Sequence, residues 1–399
     1  MLRARGHRVV FIVEESFAGT LEAQGFEERL VRLGPKPEVE EAPGQFWKDF
    51  IRETAPLFRA PTIEQLGTFI APTMQALIDG ARYVDDRLRA VLDELAPDAI
   101  VEDNVCAFPA LPASGRPWVR IVSCHPAEIR DPDVPPPFSG YPAGDRAGWD
   151  GYWAEFRRTH AATHAEFDAF CRERGAPGLP ELEFMHVSPY ANLYVYPDEV
   201  DYARQRPLSG WTNLQASVRA TDAPWEPPPE LEGDGPLVYL SLGSLGSADV
   251  ALMQALIDSL AGTRFRVVVS LGPQHDQLRL ADNLAGAEFL PQASILPQVD
   301  AVITHGGNNT VTECLHAGRP MVLLPLFWDQ YDNAQRMQEC GLGLRLPTYD
   351  HAPEQLTGAL EALLGDAALR RRLDAISRRL RAAPGTVAAA AAIERVAAA

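Results

Sequence analysis

Short apolar strands alternate with helices along most of this chain, and the alternation limits the folds that it can adopt. In the second half, the sequence predicts buried strands at 237–241, 265–270, 301–304 and 321–325. In the first half it predicts strands at 8–13, 99–101, 118–122 and 192–196. Helices are predicted between them at 83–95, 151–174 and 249–260. Because strands that alternate with helices form parallel sheets, the sequence predicts an α/β fold.

The segment at 301–313, Ala-Val-Ile-Thr-His-Gly-Gly-Asn-Asn-Thr-Val-Thr-Glu, is the strongest candidate for a binding site. A strand ends, two glycines allow a tight turn, and polar residues begin a helix. The first N–H groups of a helix lack intrahelical partners and lie at the positive end of its dipole, so this turn can bind phosphate. An ordinary strand-to-helix turn with an Asn cap has the same local pattern, and the turn alone does not separate the two interpretations.

Three further polar elements follow strands of the same half. Gly243 and Ser244 come after the strand at 237–241, the segment 289–292 follows later, and Asp329-Gln330 comes after the strand at 321–325. The carboxyl ends of parallel strands line a shared crevice. The sequence therefore predicts that these elements meet at one ligand site.

The run from Phe289 to Asn333 resembles the signature of the UDP-glycosyltransferase superfamily, in its bacterial macrolide-type branch, and Leu237 to Gly246 is similar too. The resemblance implies the GT-B fold, in which two Rossmann-like domains with parallel sheets face each other. It divides the chain into an acceptor-binding domain at 1–205, a linker at 206–236 and a nucleotide-sugar-binding domain at 237–385. A tail helix at 386–399 is expected to return to the N-terminal domain.

The resemblance also implies a reaction and its participants. It implies an inverting, metal-independent transfer of a hexose from a nucleotide-diphosphate sugar, with a UDP-sugar favoured, to a hydroxyl of a small lipophilic acceptor such as a natural product. The nucleotide sugar is a co-substrate, and no cofactor or metal is expected.

Individual donor-site roles follow from the same resemblance. The residues expected around the diphosphate are Ser244, His305, Gly307, Asn309 and Thr310. Glu313 is expected to accept hydrogen bonds from the ribose hydroxyls, and Asp329 and Gln330 to bind hydroxyls of the transferred sugar. Phe289 and Gln292 are expected to border the base.

The catalytic base is the point at which the pattern breaks. Members of the superfamily use a His after the first strand, held by an Asp after a later strand. Asp103 matches that Asp, but no residue matches the His, and the N-terminal domain is expected to lack its first strand and most of its first helix, roughly twenty residues. A start codon assigned too late and a true variant or pseudogene product both account for this pattern.

Other ionisable residues in the first half have two interpretations each. His125 follows a buried strand and is expected to face the cleft, which gives it a possible acceptor-site role, although a core or loop His bonded to backbone fits as well. Glu102 is either a buried carboxylate with a raised pKa or a loop residue. His160 and His164 have the spacing of metal ligands, but no Glu lies between them as in metalloproteases, which favours a solvated helix face.

Composition excludes several classes of partner. The 36 Lys and Arg residues against 54 Asp and Glu residues leave a net charge of −18, which argues against a nucleic-acid partner because such affinity depends on a basic surface. No apolar run approaches the roughly 18 residues of a membrane span, so no integral membrane contact is expected. The five cysteines are widely spaced and form no zinc or disulfide pattern, which is typical of a cytoplasmic protein.

Two other function classes remain open. A non-catalytic GT-B protein that binds nucleotide sugar, or partners another glycosyltransferase, would explain the absent His. A nicotinamide-dependent enzyme fits poorly, because no GxGxxG follows a strand with an acidic residue about 20 positions later. Aromatic residues of the first half line either an acceptor pocket or a core: Phe46, Trp47, Phe50, Phe58, Phe69, Phe138, Tyr141 and Trp149.

Overall fold

The computed structural model describes residues 1–36, 45–219 and 223–398. The strands are β1 Val10–Glu14, β2 Glu27–Val31, β3 Ile100–Glu102, β4 Trp118–Val122, β5 Ala191–Tyr194, β6 Trp211–Asn213, β7 Leu237–Ser241, β8 Arg266–Ser270, β9 Leu284–Ala287, β10 Ala301–Thr304, β11 Met321–Leu323 and β12 Gly343–Arg345. The α-helices are α1 Gln45–Thr54, α2 Thr62–Gln65, α3 Ala71–Leu95, α4 Ala110–Ala113, α5 Trp149–Glu173, α6 Gly243–Gly246, α7 Val250–Leu260, α8 Gln292–Ile295, α9 Asn308–Ala317, α10 Gln330–Glu339, α11 Pro353–Gly365, α12 Ala367–Ala382 and α13 Gly385–Ala397. Strands and helices alternate, which confirms the predicted α/β class.

The C-terminal half is built on one parallel sheet of six strands in the order β12-β11-β10-β7-β8-β9. Every residue of β7, β10 and β11 is buried, because helices cover both faces of the sheet. Helix α7 shows how the cover forms. The Asp249 side chain accepts a hydrogen bond from the N–H of Leu252 at 3.0 Å and caps the helix, and the apolar face is buried. Full burial of one such side chain contributes about 1.5–3 kcal/mol.

The strands of the N-terminal half form two sheets instead of one. Strands β3, β4, β5 and β6 make a four-stranded parallel sheet, whereas β1 and β2 pair only with each other within the described residues. Helix α3 connects the two sheets, since Val84, Leu88 and Leu92 pack in one buried cluster with Val31 of β2 and Ile100 of β3.

The predicted linker at 206–236 contains a strand. Trp211 to Asn213 pair with Asn192 to Tyr194 of β5, so the N-terminal sheet continues past residue 205. Three residues are too few for the alternation of apolar and polar side chains to reveal a strand. Positions 220–222 of the predicted linker lie outside the described residues.

Helix α13 returns to the N-terminal half. Its Ala392 and Val396 pack with Val119 of β4, Leu193 of β5 and Leu214. Across the described residues, no helix is both long and apolar enough to cross a membrane.

Polar side chains from the C-terminal half bind the backbone of the N-terminal half. The Asp332 carboxylate accepts hydrogen bonds from the N–H groups of Phe138, at 2.6 Å, and Gly140, at 2.8 Å. The Nδ2 of Asn308 donates to the carbonyl oxygens of three N-terminal residues at 2.8, 3.2 and 3.0 Å: Ser123, Cys124 and Val195. These bonds hold the carboxyl ends of the two sheets against each other, so a site at either end faces the other half.

Candidate active site

The candidate site begins where the order of the C-terminal strands reverses. Strands β7, β8 and β9 follow one another toward one edge of the sheet, and β10, β11 and β12 follow one another toward the other edge. Strands β7 and β10 are therefore neighbours at the point where the order reverses. A crevice opens outside the carboxyl ends of the strands at such a point. Gly243 follows β7 and His305 follows β10, which places both at this crevice.

The imidazole of His305 is enclosed by glycines. A Cβ added to Gly243 would lie 2.9 Å from His305 Cε1, and one added to Gly307 would lie 2.6 Å from its Nε2. Gly243 also has a φ of 73°, which other residues adopt only with strain. Any side chain at these two positions would therefore displace the ring.

The same enclosure keeps His305 uncharged. Burial lowers the pKa of His305 to about 4, although its hydrogen bond to the backbone of Ser241 acts in the opposite direction. The Thr304 Oγ1 lies 3.3 Å from its Nδ1. At neutral pH the ring therefore offers a bound anion a hydrogen bond and not a positive charge.

Helix α9 begins directly after the glycine turn. Gly306 has a φ of 87°, and Gly307 is the N-cap with a φ of −59°. Asn309 is exposed and Thr310 is buried in the first turn. An anion at such a helix N-terminus gains typically 0.3–1 kcal/mol from the dipole and hydrogen bonds from the N–H groups.

Ser244 follows β7 at the same end of the sheet. It is exposed, and it belongs to the single helical turn α6. The sequence predicts a tight loop at 243–246, and the structure has one turn of helix there instead.

Glu313 and Gln292 are joined by a hydrogen bond. The Nε2 of Gln292 donates to Glu313 Oε2 at 2.7 Å and to Thr310 Oγ1 at 3.3 Å. Glu313 is buried in α9, and Gln292 is the first residue of α8. Phe289, just before α8, is 67% exposed, which is unusual for an aromatic side chain and leaves its ring free to stack on a planar group.

Asp329 and Gln330 are buried and have protein partners. Asp329 Oδ2 accepts a hydrogen bond from the backbone N–H of His125 at 3.2 Å, and burial raises the pKa of Asp329 to about 7. Gln330 Oε1 accepts from the N–H groups of Leu326 and Phe327 at 3.0 and 3.3 Å, which closes the loop before α10. Their roles in sugar binding stay a prediction.

The expectation that His125 faces the cleft is wrong, and the alternative interpretation, a core or loop His bonded to backbone, is confirmed. Its side chain is fully buried, its Nδ1 accepts from the N–H of Ala127 at 3.2 Å, and its Nε2 lies 3.1 Å from Tyr196 Oη. Burial lowers its pKa well below the usual range for His. The strand end does point to the cleft, but the chain turns into the short 3₁₀ helix Pro126–Glu128 and carries the imidazole inward as its cap.

Asp103 lies at the carboxyl edge of the N-terminal sheet and is bonded to the next strand end. Its Oδ1 accepts from Ser123 Oγ at 2.9 Å and from the Ser123 N–H at 3.3 Å. Its partner is therefore a serine, and its catalytic role stays a prediction. Its neighbour Glu102 is 5% exposed, and burial raises the pKa of Glu102 to about 8, which decides between the two interpretations of that residue.

A second cavity lies in the N-terminal half, next to the donor crevice. Its aromatic lining residues are Phe138, Trp153, Phe156, Phe184 and Trp328. Its polar lining residues are Arg120, Glu128, Arg130, His160 and Glu183. Arg120 is 3% exposed, so this is a built polar site inside apolar walls.

Sequence patterns do not predict most of the residues that line this cavity. Of the six predicted aromatic residues whose side chains the structure describes, only Phe138 lines it, while Phe58 and Phe69 pack in the core with Phe327. The side chains of Phe46 and Trp47 lie outside the described residues. The lining comes from separate segments of α3, α5 and several loops, and no local pattern marks them as neighbours.

The interpretation of His160 and His164 as a solvated helix face is also wrong for His160. That ring is 1% exposed and stacks on Phe156 with the centroids 4.2 Å apart. His164 Nε2 lies 2.8 Å from the Pro180 carbonyl oxygen. Both rings pack under the loop at 177–185, so helix α5 turns its histidine face inward.

Comparison with known proteins gives a consistent set of relatives. A family model described as "Erythromycin biosynthesis protein CIII-like, C-terminal domain" matches residues 254–394. The zeaxanthin glucosyltransferase of Pseudescherichia vulneris is 29% identical over 322 residues, 77% of this chain and 76% of that protein. The oleandomycin glycosyltransferase of Streptomyces antibioticus is 26% identical over an alignment of 413 residues, 98% of this chain and 85% of that protein.

Solved structures resemble the whole chain. The glycotransferase of kitacinnamycin has a TM-score of 0.67 and 24% identity, covering 99% of this chain and 93% of that one. The glycosyltransferase VinC in complex with dTDP has a TM-score of 0.63 and 19% identity, covering 99% of this chain and 94% of that one. At these identities the likeness shows the fold alone.

Proposed function

Because the chain belongs to the bacterial macrolide-type branch of the UDP-glycosyltransferase superfamily and has the GT-B fold, we propose an inverting transfer of a hexose from a nucleotide-diphosphate sugar to a small lipophilic hydroxyl acceptor. The chain is a glycosyltransferase of the natural-product type. Relatives that are named as transferases favour a catalyst over a non-catalytic donor-binding protein.

The observation that carries the proposal is the set of groups that meet at the crevice between β7 and β10. His305 lies between Gly243 and Gly307, the N-terminus of α9 follows, and Glu313 is held by Gln292 in the same helix. A diphosphate fits the glycine turn and the helix N-terminus. A ribose fits a carboxylate, because its two hydroxyls are donors and a carboxylate only accepts.

We propose that the departing diphosphate is stabilised without a metal. Backbone N–H groups at the start of α9 and the neutral His305 are already placed before the bond breaks, so no reorganisation opposes the developing charge. Ser244 supplies a hydroxyl from the turn that follows β7. Asp329 and Gln330 stay the proposed contacts for the hexose hydroxyls.

We propose that the acceptor binds in the N-terminal half beside the aromatic cavity, whose own volume of about 60 Å³ is smaller than the roughly 300–1,000 Å³ of typical ligand sites. The rings of the cavity provide apolar contact area, and its few buried polar groups can orient a hydroxyl. Trp328, which directly precedes Asp329, lines this cavity, so an acceptor bound there lies beside the proposed sugar site.

Titration calorimetry with UDP and dTDP tests the donor site. We favour UDP, while the solved structure of VinC contains dTDP, so both nucleotides belong in the titration. Glu313→Ala is expected to weaken binding about tenfold or more, because two ribose hydroxyls lose a charged acceptor. Glu354→Ala, an exposed carboxylate of α11, is the matched control and should bind like the parent protein. A folded parent protein that binds neither nucleotide would overturn the proposal.

A further inference from the structure

An irregular segment of the N-terminal half is buried where the two halves meet. Residues 134–140, Val-Pro-Pro-Pro-Phe-Ser-Gly, belong to no helix or strand, and all seven are buried. We call this segment the buried loop. Loops normally run over the surface, because a buried loop takes its backbone polar groups away from water. The burial of this segment therefore requires an acceptor for each of its N–H groups.

The composition of the buried loop and one carboxylate from the donor half meet that requirement. Its three prolines have no N–H group. The N–H groups of Val134 and Ser139 donate to carbonyl oxygens nearby in the chain at 3.2 and 3.4 Å. The N–H groups of Phe138 and Gly140 donate to the two carboxylate oxygens of Asp332 at 2.6 and 2.8 Å. Every N–H group of the buried loop thus has an acceptor, and two of them depend on the other half.

The Asp332 carboxylate depends on the buried loop in turn. It is 3% exposed, and burial raises the pKa of Asp332 to about 7. The two N–H groups and the charge of Arg345 oppose that effect, whereas the carboxylate of Asp329 adds to it. A buried carboxylate that lost these N–H partners would have a large desolvation cost. Asp332 is therefore stable in this position only while the buried loop stays in place.

Gly140 allows the buried loop to lie directly on helix α10. Its φ is 61°, and a Cβ added there would lie 2.9 Å from the Cβ and 3.1 Å from the carbonyl oxygen of Tyr331. The Arg345 guanidinium donates to the Gly140 carbonyl oxygen at 3.4 Å. Helix α10 thus contacts the backbone of the loop from the donor half, with no space for a side chain between them.

Phe138 brings the buried loop next to the proposed sugar contact. Its φ is 67°, and its ring centroid lies 4.8 Å from that of Trp328, which has a φ of 56°. Bulky residues adopt such angles only with strain, which persists where the surroundings impose it. The indole Nε1 of Trp328 also donates to Glu128 Oε1 at 3.1 Å. Because Asp329 directly follows Trp328, the loop packs beside the residue proposed to bind the hexose.

We infer that Asp332 is a positioning residue that seals the transfer site against water. This inference rests on the proposed function. By holding the buried loop on α10, the carboxylate keeps bulk water away from the sugar side of the donor crevice. The acceptor hydroxyl then reacts with the donor in preference to water.

Transfer and hydrolysis differ only in the oxygen that attacks. In both, the bond from the anomeric carbon to the diphosphate oxygen breaks, and its electron pair leaves with the nucleoside diphosphate. A new bond forms from the anomeric carbon to the oxygen of the acceptor or of water, and the proton of that oxygen passes to solvent. The ratio of the two rates therefore reports how well the site is sealed.

The test is the Asp332→Asn variant of the full chain, assayed with UDP-glucose and dTDP-glucose. Asn keeps the size of the side chain, but its NH₂ group cannot accept, so one N–H group of the loop loses its acceptor. Hydrolysis, measured as release of nucleoside diphosphate without an acceptor, should rise about fivefold or more. Transfer to para-nitrophenol should fall about tenfold or more. The calorimetric Kd for the nucleotide should not change, because the glycine turn and the start of α9 lie in the other half.

Asp366→Asn is the matched control. The Asp366 carboxylate also accepts from two N–H groups, those of Ala368 and Leu369 at 2.8 and 2.9 Å, but all three residues lie in the same half. This variant should leave both hydrolysis and transfer unchanged. A purely structural loss would lower the two rates together and would not change their ratio.

Amide exchange gives a readout that needs no turnover. In Asp332→Asn, the amides of the buried loop should exchange about tenfold faster or more than in the parent protein, because the loop leaves α10 more often. In Asp366→Asn they should exchange as in the parent protein.

Gly140→Ala tests the same contact from the side of the loop and needs no change in the donor half. The added Cβ would push the loop away from Tyr331, so hydrolysis should rise and transfer should fall as in Asp332→Asn. Gly115→Ala is the control, since Gly115 has a φ of 68° and nothing within 4 Å of an added Cβ. Hydrolysis that does not rise, or loop exchange equal to that of the parent protein, would overturn the assignment. Failure of the parent protein to bind either nucleotide would count against the proposed function instead.

Discussion

The two halves of the molecule build their sides of the cleft in different ways. The C-terminal half has one unbroken sheet, and its site consists of turns and helix starts that directly follow strands. The N-terminal half has two sheets, and its cavity is lined by side chains from separate helices and loops. The donor site depends on main-chain geometry, so a continuous stretch of sequence reveals it. The cavity depends on the packing of separate segments, so no local pattern reveals it.

The largest effect is expected from shortening an isoleucine to alanine in the six-stranded C-terminal sheet, compared with the same substitution in the β1–β2 sheet. Ile303 of β10 is fully buried, whereas Ile12 of β1 is only partly buried. Ile303→Ala should lower the free energy of unfolding by about 2–5 kcal/mol, because it leaves a cavity in the core. Ile12→Ala should lower it by less than half as much. Urea unfolding followed by circular dichroism measures both, and equal losses would mean that the two sheets are packed alike.

A glycine at the donor crevice gives the next largest effect. Gly243→Ala forces a side chain into a positive φ and against His305, so the affinity for nucleotide should fall about 10–100-fold, equivalent to about 1–3 kcal/mol. Gly358→Ala, in α11 with nothing near the added Cβ, is the control and should bind nucleotide normally. Titration calorimetry measures the Kd for nucleotide of both variants. An unchanged Kd for Gly243→Ala would show that the enclosure of His305 is unimportant for donor binding.

The smallest expected effect concerns the β1–β2 sheet. The Glu28 carboxylate accepts hydrogen bonds from the N–H groups of Gly19, Leu21 and Glu22 at 2.8, 2.6 and 3.0 Å. These bonds, the one from Gly19 above all, hold the pKa of Glu28 below its usual range. Glu28→Gln should therefore speed amide exchange in the segment 15–31 while global unfolding changes little.

The pH dependence of that effect has a defined sign. A lowered pKa stabilises the folded state above the unfolded pKa of about 4.3, and the contribution disappears as pH falls through the lowered value. Exchange rates of the variant and the parent protein, corrected for intrinsic rates, should therefore differ at neutral pH and converge in acid. A difference that persists in strong acid would contradict this account.

Local patterns predicted four of the six strands of the C-terminal sheet, β7, β8, β10 and β11, and missed the edge strands β9 and β12. The strand predicted at 301–304 and the helix after the Gly-Gly turn are both present, as β10 and α9. The strand at 237–241 is present as β7. Fully buried strands bounded by glycine turns leave a strong signal, because hydrophobicity and turn residues indicate the same boundaries.

Predictions that depended on long-range packing were wrong or incomplete. The helix predicted at 83–95 begins at Ala71, because its early turns pack against α5 and the aromatic core. The position of His125 after β4 was read correctly, but its side chain turns inward to Tyr196, more than seventy residues away. Neither partner can be inferred from the residues next to it.

The sequence by itself determined the α/β class, four of the strands of the C-terminal sheet and the glycine turn before α9. These features depend on neighbours within about ten residues. Only the tertiary structure decided that His125 is a cap, that Trp328 reaches Glu128, and that an aromatic cavity lies beside them. The physical reason is that the cavity and the contact between Trp328 and Glu128 join residues far apart in the chain, 200 positions for that contact, and only the packing of the two halves brings them together.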